Sequence, residues 1–155
     1  MTQRVLFDTN IFIDALADRP EAVQELAHWS DPAISFVTWI ELHAGAKPGD
    51  AEKIAELMDG LEIAIIYPDA LIMEAAAAIM TKRRVDGAKK IALPDMIIAA
   101  TGKIHERVVV TRNTSDFKEN VRVPYELVPV IVPPIYEVKN HLPPAASALD
   151  RRRRP

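Results

Sequence analysis

Short apolar runs alternate with helix-length segments along most of this chain, and this alternation constrains the fold more than any other feature. The runs have the length of buried strands and are bounded by turn residues. They predict strands at Val5–Phe7, Ala33–Phe36, Leu61–Ile66, Val108–Val110 and Leu127–Val130. Between them the sequence predicts helices at Ile11–Leu16, from Pro20, at Thr38–Gly45, Asp50–Gly60, Asp69–Val85 and Pro94–Lys103. Strands and helices in this alternation predict an α/β domain, with a parallel sheet covered by helices on both faces.

Composition limits the possible classes of protein. The chain has 155 residues, of which 49% are hydrophobic, so it can bury the core of one globular domain. It contains no cysteine, which excludes disulfides, thiolate catalysis and cysteine zinc sites. No apolar run is long enough to cross a bilayer and no signal peptide precedes the first strand. We therefore expect a cytoplasmic protein without membrane contact.

The last 24 residues differ in character from the rest. We expect a folded domain over residues 1–131 and an extended tail over 132–155, which is rich in proline and ends in Arg151–Arg154. This tail has five basic and two acidic residues, whereas the whole chain has a net charge of −3, so the body before it has a net charge of −6. An acidic body argues against a broad nucleic-acid-binding surface.

Four acidic residues stand where a strand has just ended or a helix is about to begin, and they are Asp8, Glu41, Asp95 and Asp116. Because open parallel sheets gather their sites at the carboxyl ends of the strands, we expect these carboxylates to lie together. Several carboxylates in one place cannot all stay ionised without a counter-charge. Hard divalent cations such as Mg²⁺ or Mn²⁺ supply it. The pattern favours a metal-dependent enzyme that cuts phosphodiesters.

Each of these carboxylates also has an interpretation that needs no metal. Asp8 and Asp95 stand at helix starts, where a carboxylate caps the helix or complements its dipole. Glu41 follows Thr38 at the spacing of a capping box. Asp116 is typical of an Asx-turn in a polar loop.

Further polar and basic residues are candidates for supporting roles. Asn10 could orient Asp8 or a metal-bound water, and Thr111 and Asn113 follow the fourth strand within reach of a metal. Basic residues that would contact RNA phosphate, or merely be solvated, are Lys82, Arg83, Arg84, Arg151 and Arg152. The four histidines have no spacing that suggests a zinc site.

Four segments in order resemble the PIN-domain family, specifically the VapC-like toxins of bacterial toxin–antitoxin pairs. They are LFDTNIFID, SFVTWIELHAG, IALPDMIIAATG and VVVTRNTSDF, and the resemblance spans about Val5 to Val130. It implies a three-layer α/β/α fold with strand order 3-2-1-4-5. It also implies that Asp8, Glu41 and Asp95 bind metal, with Asp116 as the fourth acidic position. Many relatives have an acidic residue at the position of Asn113, so the number of metal ions stays open.

The resemblance further implies an endoribonuclease that depends on Mg²⁺ or Mn²⁺, with RNA as substrate. It implies a small antitoxin protein as partner, and a homodimer. Two alternatives stay open on the same residues. One is a structure-specific DNA nuclease, and the other is a non-catalytic module that binds nucleic acid or protein, in which the carboxylates serve as helix caps.

Overall fold

The structure, a computed structural model, describes residues 3–117 and 120–125. Strands and helices alternate along the described chain as the sequence predicts. In chain order they are β1 (Val5–Phe7), α1 (Thr9–Leu16), α2 (Pro20–His28), β2 (Pro32–Ser35), α3 (Phe36–Ala44), α4 (Asp50–Gly60), β3 (Ala64–Ile66), α5 (Ala70–Val85), α6 (Leu93–Ile104), β4 (Val108–Val110) and β5 (Val121–Arg122). Within the described residues, no helix is both long and apolar enough to cross a membrane.

The five strands form one parallel sheet in the order β3-β2-β1-β4-β5, so the predicted fold class and strand order are confirmed. Its fifth strand is Val121–Arg122, which pairs with β4. The segment Leu127–Val130, for which we predicted this strand, lies outside the described residues. Val121–Arg122 is too short, and too close to Pro124, for its sequence to indicate a strand.

The helices lie on both faces of the sheet, and β1 shows how its residues divide between them. Val5 and Phe7 pack into a core with α1, α2 and α4. Leu6 points to the opposite face, where it packs with Ile98 of α6. Because alternate residues of a strand point to opposite faces, a central strand covered on both sides is apolar throughout.

Several element boundaries differ from the predicted ones by one to three residues, and two of these differences have a clear local cause. Helix α3 begins at Phe36 and not at Thr38, because the side chain of Ser35 caps it by accepting the Val37 N–H at 3.3 Å. Thr38 is buried inside the first turns, so the predicted capping box between Thr38 and Glu41 is wrong. Strand β3 begins only at Ala64, since Glu62 has a φ of 52° and closes a turn after α4.

Helix α6 approaches β4 closely at Gly102. A Cβ atom at this position would lie 2.8 Å from Val109 Cγ2 and 3.2 Å from the carbonyl oxygen of Arg107. The second contact is with backbone, which cannot rotate away. The absence of a side chain at Gly102 therefore lets the helix pack directly on the sheet.

We predict that Gly102→Ala destabilises the protein by about 1–3 kcal/mol, the usual effect of overpacking. Urea denaturation measures the change in the free energy of unfolding. Gly60→Ala is the matched control, because a Cβ at Gly60 meets no atom within 4 Å. That variant should be neutral or slightly more stable. Equal stability of the two variants would contradict the close approach.

Candidate active site

Asp8 lies where β1 ends and α1 begins, and its side chain accepts hydrogen bonds from the start of α1 and from the residue after β4. Its Oδ1 accepts the Thr9 N–H at 2.7 Å, so Asp8 does cap α1. Its Oδ2 accepts the Asn10 Nδ2–H and the Thr111 hydroxyl, both at 2.6 Å. One oxygen of Asp8 therefore caps α1, and the other is held by two side-chain donors. We call Asp8, Asn10 and Thr111 the Asp8 network.

Burial raises the pKa of the Asp8 carboxyl, and the charge of Glu41 adds to this rise. Hydrogen bonds from Thr111, Thr9 and Asn10 lower the pKa again, because they stabilise the carboxylate. The net effect is a raised pKa, so the three donors offset only part of the cost of burying this carboxylate.

Glu41 projects from α3 towards the same junction. Its Oε2 accepts a short hydrogen bond from the Thr9 hydroxyl. Sequence reasoning missed Thr9, which is 32 positions from Glu41 and has no motif that signals the contact. Since the capping box is absent, this contact to α1 defines the environment of Glu41.

Asp95 lies in the first turn of α6, and its pKa is affected by the other three carboxylates. The pKa of Asp95 is raised from 3.8 to about 6, mostly by burial and in addition by the charges of Asp8, Asp116 and Glu41. Such repulsion falls off with distance. The four acidic residues predicted from sequence therefore lie close enough to interact, at the edge where β1 and β4 end.

Asp116 and Asn113 belong to the loop that follows β4. The Asn113 side chain donates to Asp116 Oδ2 at 2.9 Å, and the Asn113 N–H donates to Thr111 Oγ1 at 2.9 Å. These bonds are those of the predicted polar turn, and they also connect Asp116 to the Asp8 network. Asp116 can therefore belong both to a polar turn and to the group of acidic residues.

The predicted basic residues are placed differently from one another. Arg83 donates from Nε and Nη2 to the carbonyl oxygen of Lys89, at 3.2 and 2.9 Å, and from Nη1 to that of Asp116 at 3.5 Å. It therefore supports the loop that carries Asp116. Lys82 and Arg83 also line a cleft of about 850 Å³ between α5, α6 and β4. Arg84 is exposed, and Arg151 and Arg152 lie outside the described residues.

The donor chemistry of the four carboxylates fits a hard divalent cation, since all the available ligands are oxygen atoms. Their mutual repulsion is also of the kind that a bound cation relieves. Within residues 3–117 and 120–125, however, no three acidic or histidine side chains stand in an arrangement that could hold a metal ion. The negative charge of the four carboxylates therefore suits a cation, but their side chains are not arranged as a complete coordination sphere.

The raised pKa of Asp95 predicts a pH dependence for the stability of the metal-free protein. A carboxyl whose pKa rises from 3.8 to about 6 on folding contributes stability below the unfolded value. That contribution is lost as the pH rises through about 6. Asp95→Asn should therefore raise the melting temperature at pH 7 more than at pH 5, with EDTA present throughout.

The control for this prediction is Asp59→Asn, which changes an exposed carboxylate on α4. It should shift the melting temperature little, and equally at both pH values. If Asp95→Asn produces the same shift at pH 5 as at pH 7, the carboxylates do not repel one another as described.

Comparison with known proteins agrees with the fold. Residues 5–122 match the PIN domain family, whereas no curated protein matches the chain. Among solved structures, a chain of a toxin–antitoxin complex from Klebsiella pneumoniae is 38% identical, with a TM-score of 0.66 over 79% of this chain and 99% of that one. FitAcB from Neisseria gonorrhoeae is 28% identical, with a TM-score of 0.63 over 79% and 99%. VapBC2 from Rickettsia felis bound to promoter DNA shares the fold at 22% identity, with a TM-score of 0.68 over 77% and 96%. Because the family match covers most of its length, the chain belongs to the PIN-domain family.

Proposed function

We propose that this protein is a metal-dependent endoribonuclease and the toxin of a toxin–antitoxin pair. The observation that carries the proposal is the group of four carboxylates at one edge of the sheet, where three of them raise the pKa of Asp95. Membership of the PIN-domain family supports a nuclease. Similarity to a chain of a toxin–antitoxin complex from Klebsiella pneumoniae, at 38% identity, supports a toxin with a protein partner.

The residues proposed to hold the cation are Asp8, Asp95 and Asp116, with Glu41 completing the acidic group. A bound Mg²⁺ or Mn²⁺ would lower the pKa of a water and neutralise charge at the phosphate. Asp8 is already fixed by three donors, so it needs no reordering to serve as a ligand. Glu41 would have to exchange or share its hydrogen bond with Thr9.

Hydrolysis at this site would form a bond from the water oxygen to phosphorus and break the bond to the 3′-oxygen, which takes up a proton. The products would carry 5′-phosphate and 3′-hydroxyl ends. A histidine base is not required for this reaction. Single-stranded RNA loops are the proposed substrates, because their bases can be splayed out for recognition. Lys82 and Arg84 on α5, and Arg151 and Arg152 in the tail, are the proposed phosphate contacts.

Metal removal tests this proposal. We expect the protein to cut an RNA hairpin in the presence of Mn²⁺ or Mg²⁺, to stop in excess EDTA, and to resume when the metal is restored. The ends should be 5′-phosphates, and the matching DNA hairpin should stay intact. Asp8→Asn should fold and yet cut at least about 100-fold more slowly, in line with the loss of a metal ligand.

Other outcomes of this experiment would contradict the proposal or support one of the alternative functions. Cutting of the DNA hairpin and not of the RNA would indicate a DNA nuclease. Cyclic phosphate ends that form in EDTA would contradict the metal mechanism. If neither hairpin is cut and Mn²⁺ does not change the melting temperature, the carboxylates have only structural roles and the protein is a binding module.

A homodimer is the second part of the proposal, and an exposed apolar surface beside β3 supports it. The rings of Phe36 and Tyr67 stack with their centroids 4.8 Å apart. Tyr67 is 63% exposed, Ile40 46% and Leu71 59%. Ile40 lies one helical turn after Phe36 on α3, and Leu71 lies in the first turn of α5. We propose that these exposed side chains and the stacked rings form one apolar patch, of the kind that marks interaction surfaces.

We predict that the double variant Tyr67→Ser, Leu71→Ser sediments as a monomer at concentrations where the wild type sediments as a dimer. The substitutions remove apolar area that association would bury. Val85→Ser is the control, because Val85 is 80% exposed at the far end of α5 and should leave the dimer intact. A wild type that stays monomeric at all concentrations would refute the dimer, and a dimeric double variant would refute this surface.

A further inference from the structure

A partly buried ion pair lies beside the Asp8 network and is not part of it. Arg112 donates from Nε to Asp14 Oδ2 at 2.6 Å and from Nη2 to Asp14 Oδ1 at 3.2 Å. Asp14 is on α1, and its side chain is 6% exposed. Two-point contacts of this type fix the orientation of both side chains as well as their distance. The pair therefore ties the loop after β4 to the first helix in a defined geometry.

The hydroxyl of Tyr125 strengthens this tie by donating to Asp14 Oδ2 at 2.9 Å. Burial, followed by the hydrogen bond to Asp14, raises the pKa of Tyr125 well above its usual range, so the hydroxyl stays protonated as a donor. Arg19 adds a longer contact, from Nε to Asp14 Oδ1 at 3.8 Å. Asp14 is thus a buried carboxylate whose charge and lone pairs are satisfied from three directions.

The ion pair is connected to the Asp8 network by a short path. Arg112 directly follows Thr111, whose hydroxyl donates to Asp8 Oδ2. The backbone N–H of Arg112 donates to Asn10 Oδ1 at 3.2 Å. With its oxygen held in this way, the Asn10 amide can only turn its Nδ2 towards Asp8 Oδ2 and Thr111 Oγ1, at 2.6 and 2.9 Å. The position of the Arg112 backbone therefore decides which donors Asp8 receives.

We propose that Asp14 and Arg112 are positioning residues for the active site, acting through Asn10 and Thr111 to hold the Asp8 carboxylate in place. The claim that these residues affect catalysis rests on the proposed function. The claim that they hold Asp8 in place does not, because the hydrogen bonds of Asp8 can be followed in protein that has neither metal nor substrate.

The simpler explanation is that the pair only stabilises the fold, and the chain contains a matched control for it. Glu25 on α2 is also a buried carboxylate, and it accepts two hydrogen bonds from Arg122 of β5, at 2.9 and 3.3 Å. Its other partner is the Trp29 Nε1–H at 3.1 Å. In the described part of the chain, no side-chain hydrogen bond joins Glu25 to the Asp8 network. Glu25→Gln therefore removes a comparable ion pair without disturbing Asp8.

The first experiment follows the side-chain amide of Asn10 by NMR in metal-free protein. Asp14→Asn and Arg112→Gln should shift the Asn10 Nδ2–H resonances and speed their exchange with water, whereas Glu25→Gln should leave them as in the wild type. Arg112 is partly exposed, so Arg112→Gln supplies the result if Asp14→Asn fails to fold. Unchanged Asn10 resonances in Arg112→Gln would overturn the proposal.

The second experiment measures cleavage of the RNA hairpin below the melting temperature of each variant. Arg112→Gln should lower kcat by about 10- to 100-fold, the usual effect of losing a residue that orients a ligand, with KM little changed. Arg112→Lys should recover part of kcat, since it keeps the charge and loses the two-point geometry. Glu25→Gln should keep the wild-type kcat even if it melts at a lower temperature.

The two experiments separate failure of this proposal from failure of the proposed function. If the wild type cuts no RNA, the proposed function is wrong, and the Asn10 resonances still decide whether the ion pair positions the network. If the wild type cuts RNA and Arg112→Gln matches Glu25→Gln in kcat, the pair is structural only and the positioning role is refuted.

Discussion

The parallel pairing of β1 with β4 is the constraint on which the rest of the site depends. Its register sets Phe7 opposite Val110, so the next residue of each strand, Asp8 and Thr111, leaves the sheet at the same edge. Their side chains then meet at hydrogen-bonding distance although they are 103 positions apart in sequence. Because β1 is central in the strand order, helices from both sides can add Glu41 and Asp95 to that edge.

Bringing the carboxylates together costs electrostatic free energy, and this cost is not divided equally among them. Asp8 is the most buried of the four carboxylates, and it receives three donors that stabilise its charge. Asp95 has no such compensation among the causes of its shift, and its pKa rises to about 6. Strongly shifted pKa values of this kind cluster at active sites. The ion pair of Asp14 and Arg112 contributes rigidity without adding net charge.

Sequence alone predicted the described elements other than β5, and it singled out the four carboxylates, because each depends on local patterns or on a family resemblance. It failed where two local signals competed. Ser35 and Thr38 are both good caps, and only the end of β2 at Ser35 decides that the helix begins at Phe36. It also failed for contacts between distant residues. The bond from Thr9 to Glu41 depends on how α1 packs against α3, and no spacing within either helix indicates that packing.

The strand order has a further consequence for the two edge strands of the sheet. Edge strands expose unpaired backbone groups that can recruit a strand from another molecule and start aggregation. Among the described residues, the outermost strands are β3, with three residues, and β5, with two. Strands so short offer few backbone groups to an incoming chain, and Pro124 follows β5 closely and lacks an N–H to donate. The apolar central strands therefore lie between edge strands that are poor templates for fibrils.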